Sequence, residues 1–332
     1  MLKRVCLVVL VLAACGRDKG GEPDVAPPPP EPITAPGPPL EVRLDSARAL
    51  LRQGEIKKAQ GLLERLVLEA PTDAPVWTAL AAARLAAQEP AGAVEAAKRA
   101  TTLDPKDAQA FVTGGAALRA QGDLDGAIKS LERALVIDPT LASAYWNLAG
   151  IHGQRHDDAR EALVLDALVK AHPDDVAARF ARAQNALRQK DAPLAKQTLL
   201  DLVERAPTHE PAQRTLAALA WDARDYRQAL ERAKIALRLD ESDNAAQKLL
   251  ESSYYVLAAA ELLCKVGPRP WNQPEAPGLL MAFAKQSGLE NALVFGEIDA
   301  EFGDLPDVRA RVQAHKDLTC PGTIEPAPGG PR

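Results

Sequence analysis

Aromatic side chains make up only 4% of the 332 residues, and there are just two methionines. Sheets draw on aromatic and β-branched residues to cover their pleated faces, so this shortage argues against a β architecture. Basic residues are outnumbered, 40 Lys and Arg against 45 Asp and Glu, and no basic tract interrupts the chain. The charge footprint of a nucleic-acid-binding protein is therefore missing. The apolar run Val5–Ala14 has ten residues, half of the roughly 20 that a membrane-spanning helix needs. No Gly-x-Ser-x-Gly elbow, Gly-rich phosphate loop or cysteine pair at zinc spacing occurs. No catalytic residue, cofactor or metal is assigned, and the chain is read as a non-enzyme. What is abundant is Ala and Leu, which suits close-packed helices, and the length allows one or two domains with a real core.

The N-terminus has its own grammar. Lys3 and Arg4 precede the short apolar run, which ends in Leu12, Ala13, Ala14 and Cys15. Charge followed by a short apolar segment and small residues is the pattern of a signal peptide. The final four residues resemble the lipobox of bacterial lipoproteins. That resemblance implies cleavage after Ala14 and lipidation of Cys15, with the new amine acylated, so that the chain is held on a bilayer. Gly16, rather than Asp, follows the cysteine, which by the same resemblance favours the outer membrane. The expectation is an outer-membrane lipoprotein of the bacterial cell envelope, facing the periplasm or the cell surface. Residues 1–14 are then the signal peptide. Residues 15–39 are a lipidated cysteine and a disordered tether in which nine prolines favour extended polyproline II.

Pro71, Pro105, Pro139, Pro173 and Pro207 are each 34 residues apart. A period of this size marks a repeat architecture. The segment Ala108–Leu141 shows it best: apolar residues recur at helical spacing, Gly122 falls where a first helix stops, and Pro139 falls after a second. Its Phe111, Gly114, Gly115, Leu118, Ala127, Leu131, Ala134 and Pro139 match the signature positions of the tetratricopeptide repeat, which this chain resembles. Trp77, Leu80, Ala81, Ala93, Ala97, Ala100 and Pro105 match in the repeat before it. Six repeats are read: 40–73, 74–107, 108–141, 142–175, 176–209 and 210–243. The departures are Glu161 at a small position, His156 in place of the turn glycine, and Glu241 in place of the last proline. The implied fold is all-α, a right-handed superhelical solenoid. A capping helix at 244–267 would hide the open apolar edge, followed by a helical appendage at 268–320 and a disordered tail at 321–332.

By the same resemblance, the first helix of each repeat lines a concave groove through its second, fifth, ninth, twelfth and thirteenth positions. Carried onto this sequence, the partner-binding residues are Arg119, Trp146, Phe180, Gln184, Arg188, Arg214, Trp221 and Tyr255. The scarce aromatics gather here, and basic residues exceed acids in the groove. Arginine and aromatic side chains are the types that dominate interface energetics. The expected partner is thus a protein or peptide of acidic character, and the expected role is a membrane-anchored scaffold or adaptor in envelope assembly. The layout of lipid anchor plus repeats is similar to outer-membrane assembly lipoproteins and pilus pilotins. The alternative is a solenoid presenting a small glycan-binding or catalytic module in residues 268–332. The clamp by which chaperone-binding repeats hold a terminal carboxylate is not carried over, since Leu44, Arg48, Thr78 and Ala82 stand at its positions. His152 and His156, four apart, could share a metal on a helix, but they fall at a helix end and a turn, where packing and solvation account for them.

Cys6 lies in the signal segment, which leaves Cys264 and Cys320 as an even pair in what would be an oxidising compartment. A bridge between them is expected, with two free thiols as the alternative. Alkylation without reductant followed by mass spectrometry should find neither sulfur labelled. Labelling of both would show the thiols to be free.

Overall fold

The computed structural model describes residues 38–266 together with Arg311 and Ala314, with side chains followed as far as Leu257. The signal segment and Cys15, most of the tether, the appendage, the tail and both sulfurs of the expected bridge lie outside the described residues. Within them there are thirteen α-helices and no strands. Six antiparallel pairs come first: α1 (Leu40–Arg52) with α2 (Ile56–Glu69), α3 (Ala74–Ala86) with α4 (Pro90–Leu103), α5 (Ala108–Gln121) with α6 (Leu124–Ile137), α7 (Ala142–Gln154) with α8 (Asp158–Ala171), α9 (Val176–Arg188) with α10 (Ala192–Arg205), and α11 (Glu210–Asp222) with α12 (Tyr226–Leu239). The longer α13 (Asn244–Val266) follows and packs on α12 and α11. Helix meets helix within each pair and from one pair to the next, so the described residues form an all-α solenoid.

Local chemistry sets the boundaries. The fifteenth residue of every repeat turns the chain between its helices in the left-handed region: Gly54 (φ 79°), Gln88 (63°), Gly122 (87°), His156 (54°), Lys190 (60°) and Arg224 (62°). Only glycine adopts this region without a Cβ penalty, so four repeats hold a strained residue there. The next position starts the second helix. Asp123, Asp157, Asp191 and Asp225 each accept the backbone N–H three residues on, at 2.9–3.1 Å. This is N-capping, which satisfies donors that the first turn leaves orphaned. Asp73, Asp107 and Asp175 do the same for the first helices of the next repeats. The periodic prolines sit just beyond the second helices, and three of their carbonyls are used. Trp77 Nε1 donates to Pro71 O (2.9 Å), Tyr145 Oη to Pro139 O (3.0 Å) and Gln213 Nε2 to Pro207 O (3.0 Å).

Close approach is made by small residues. Ala59, Ala93, Ala127, Ala195 and Ala229, all at the twentieth position, are fully buried. Facing them are Ala47, Ala81, Gly115, Ala149, Ala183 and Ala217 at the eighth, again buried. At Gly115 even a methyl is too large: a Cβ there would lie 2.7 Å from Leu131 Cγ and 3.2 Å from Ala127 O. Larger residues such as Leu63, Leu131, Leu165 and Leu199 fill the gaps between the small ones.

Replacing Lys190 or Arg224 by glycine should stabilise the protein by about 0.5–1 kcal/mol each, the left-handed penalty of roughly 1–2 kcal/mol less the entropy that glycine adds to the unfolded chain. Urea denaturation checks this, and a lowered midpoint in both variants would contradict the turn assignment.

Candidate functional site

First helices meet along one side of the stack, α1 with α3, α3 with α5, α5 with α7 and α11 with α13, and this is the side that the resemblance makes the concave face. What lies on it divides into residues used by the fold and residues left over. A spacing of 29 residues governs the first class. The fifth residue of one repeat meets the residue that caps the first helix of the next. Thr78 Oγ1 donates to the Asp107 carboxylate at 2.6 Å. The rings of Phe180 and His209 stack with centroids 4.9 Å apart, tilted by 54°. Arg214 Nη1 pairs with Asp243 Oδ2 at 3.1 Å. Phe180 and Arg214 therefore tie adjacent repeats together, and Phe180 also packs on the core formed by Ala183, Leu199 and Leu216.

Arg188 is occupied as well. Its guanidinium binds Asp158 at 2.9 Å and also the carboxylate of Glu161, both on α8. Those hydrogen bonds hold the Arg188 pKa above its ordinary value. Glu161 is the acid at a position otherwise held by alanine, and its side chain is only 12% exposed. A half-buried carboxylate needs a partner, and α9 supplies it. Asn185, fully buried, completes this junction by donating to Asp158 O at 2.9 Å. Arg182 adds an ion pair to Asp166 at 2.6 Å. The contact between α8 and α9 thus adds ion pairs and a buried amide to the apolar cluster of Leu165, Leu168 and Ala178.

Two expectations need correction here. Tyr255 is 2% exposed, so its ring is covered and does not present an open surface to a partner. The groove is also less basic than its sequence: Arg48, Arg188 and Arg214 are each paired with an acid. Arg214 lies between Asp243 and Glu210. Burial pushes the Glu210 carboxyl up, and the adjacent Asp243 adds to it. Burial would raise Asp243 too, but hydrogen bonds from Glu210 and the Ala246 N–H, with the Arg214 charge, hold it below the ordinary range.

Three predicted residues keep free functional groups. Arg119 Nε donates to Gln154 at 3.3 Å and meets no carboxylate among the described residues. Gln184 is exposed and makes no hydrogen bond to them. Trp146 is half-buried, its ring resting on the cluster of Ala149, Leu165, Leu168 and Ala178, while its indole N–H has no partner among the described residues. The contrast with Trp77, whose N–H the Pro71 carbonyl takes, is instructive. Trp221, the last of the predicted set, is half-buried and stacks edge-on against Tyr226, centroids 5.1 Å apart.

His152 is buried at the end of α7, and desolvation lowers its pKa. His156 is exposed in the left-handed turn. Among the described residues no three His, Cys, Asp or Glu side chains are placed to hold a metal ion. A cavity of about 290 Å³ opens between α4, α5 and α6 over Val94, Phe111 and Leu118. It is lined by the third, fourth, seventh and eleventh positions of α5, so it belongs to the opposite face of that helix from the groove.

Paired antiparallel helices on a 34-residue ruler, a turn residue in the left-handed region in every repeat and small residues at two fixed positions leave one family. Residues 36–83, 115–154 and 152–210 match the models of that family, described as tetratricopeptide repeat or TPR repeat. The chain is a tetratricopeptide-repeat protein. It is similar in fold to the structure reported with the functional characterisation of Pseudomonas aeruginosa pilF, at 18% identity and a TM-score of 0.52, over 63% of this chain and 95% of that one. The C-terminal part of a TPR repeat-containing protein from Cytophaga hutchinsonii is similar at 12% identity and a TM-score of 0.56, over 76% and 98%. None of the curated proteins matches in sequence. The repeat solenoid is a protein-interaction scaffold.

One repeat joint is predicted to sense pH. His209 caps α11 through Nδ1, which accepts the Ala212 N–H at 3.2 Å, so the bond needs that nitrogen unprotonated. Burial lowers the His209 pKa, as it does that of His152. A histidine held neutral stabilises the fold above its unfolded pKa, about 6.5, and the contribution is lost as pH falls below that. The urea midpoint should fall between pH 7.5 and 5.5, and the fall should shrink in His209→Asp. An equal fall in that variant would show that the cap nitrogen is not responsible.

Proposed function

We propose that this repeat protein is an envelope adaptor that holds a peptide segment of a protein partner at the middle of its groove, over repeats three to five. The observation that carries the reading is the state of Trp146: a large ring packed on the core beneath it, with no partner for its N–H among the described residues. Rigid aromatic anchors of this kind bury area at low entropic cost and offer one directed hydrogen bond. Arg119 supplies a cation that meets no carboxylate among the described residues, and Gln184 an exposed amide that makes no hydrogen bond to them. Along α7, Trp146 and the Arg119 contact Gln154 are separated by about 12 Å at 1.5 Å per residue. A segment with an apolar anchor at one end and a carboxylate at the other matches that span, which keeps the acidic partner for this part of the groove alone.

The anchoring half of the proposal rests on Lys3, Arg4, the short apolar run and the LAAC sequence ending at Cys15. Acylation there would put the solenoid on the outer membrane, with the proline-rich segment as its spacer. No helix among the described residues is long and apolar enough to cross a membrane. Attachment by lipid would leave the groove free to face a partner.

Cys15→Ser should move the protein from the membrane fraction to the soluble fraction without changing its far-ultraviolet circular dichroism. Trp146→Ala with Gln184→Ala should reduce partner capture in crosslinked envelopes at least ten-fold. Leu163→Ala, on an exposed residue outside the groove, should leave it unchanged. Equal capture by all three would sink the groove assignment, and a Cys15→Ser protein retained on membranes would sink the anchor.

A further inference from the structure

Trp221 holds the twelfth position of α11, the same position that Arg119 holds in α5. Its surroundings favour a cation. The C-terminus of α11 is the negative end of its dipole, although the turn already donates to its last carbonyls, Ala223 N–H to Leu219 O and Arg224 N–H to Trp221 O. Asp222 and Asp225 are exposed beside it, and the electron-rich ring face is itself attractive to guanidinium. A cation from the chain's own C-terminal part sits there. The Arg311 guanidinium carbon is 4.9 Å from the Trp221 ring centroid, and Nη1 donates to the Trp221 carbonyl oxygen at 3.2 Å. Ninety residues separate the two in sequence. Arg311 and Ala314 are both helical and lie one turn apart.

We infer that Arg311 is a built-in ligand of the groove, its cation held at the sixth-repeat end by Trp221. The inference rests on the groove reading above and names the occupant of one end of it. Two consequences follow. A partner that extends from Trp146 as far as repeat six must displace Arg311, so its apparent affinity is its intrinsic affinity multiplied by the fraction of molecules in which Trp221 is free of Arg311. A partner that succeeds presents a basic side chain to Trp221, the opposite sign from the carboxylate suited to Arg119. The two ends of the groove thus read opposite charges, which fixes the direction in which a segment lies.

The test uses the full chain labelled with 5-fluorotryptophan, whose four fluorine resonances are assigned by single Trp→Phe variants. Arg311→Ala should shift the Trp221 resonance and raise its sensitivity to a soluble quencher, while Arg311→Lys should largely restore both. The synthetic peptide of residues 305–318 should bind the Arg311→Ala chain about ten-fold more tightly than the wild type, whose own Arg311 competes. The same peptide carrying Arg311→Ala should bind neither. A Trp221 resonance that does not move, or equal peptide affinity for both chains, overturns the inference. Adding Trp146→Ala separates the two readings. If peptide displacement persists while partner capture never depended on Trp146, the adaptor reading falls and the Arg311 ligand stands.

Discussion

Everything in this molecule depends on how closely one helix can approach the next. The eighth residue of each first helix and the twentieth of each repeat must be small, and alanine or glycine stands at all but one of those positions. Gly115 shows how tight the requirement is, since one added methyl would press into Leu131. With backbones this close, each pair buries its apolar stripe against its neighbour. A repeat is then stable only as part of a stack, because no single pair can cover both of its faces.

Glu161 is where the constraint is broken, and the repair explains much of the groove. An acid wedged at a small position has to be neutralised, so Arg188 is drawn onto it and onto Asp158. Asn185 and Arg182 extend the polar contact. The same economy operates at the fifth positions, where Thr78, Phe180 and Arg214 reach the caps of the following helices. Side chains that would look available on a single helix are committed to holding two repeats together. Arg119, Trp146 and Gln184 are not committed in this way among the described residues, and Arg311 meets the repeat-six end.

Much of the architecture was legible from residue spacing. The prolines fixed the period, the turn position was visible at Gly54 and Gly122, and His156 was placed at a turn by phase alone. The site was less legible because assigning groove positions by counting along one helix ignores what the next helix brings. Arg214 and Asp243 are opposite charges 29 apart, as Thr78 and Asp107 are donor and acceptor 29 apart, so a search at that spacing would have shown the staples. Tyr255 followed the repeat phase into α13, but α13 packs as a terminal helix with that phenol ring inside. The Arg311 contact had no sequence signal, since it joins residues 90 apart that share no period.

The account stands or falls on which face of the solenoid a partner touches. A photoreactive amino acid placed at residue 146 or 184, and at residue 163 outside the groove, can be activated in intact cells and its adducts sequenced by mass spectrometry. The structure predicts one partner segment crosslinked from both 146 and 184, with no adduct to that segment from 163. The same segment captured equally from 163, or none from the two groove positions, would contradict it.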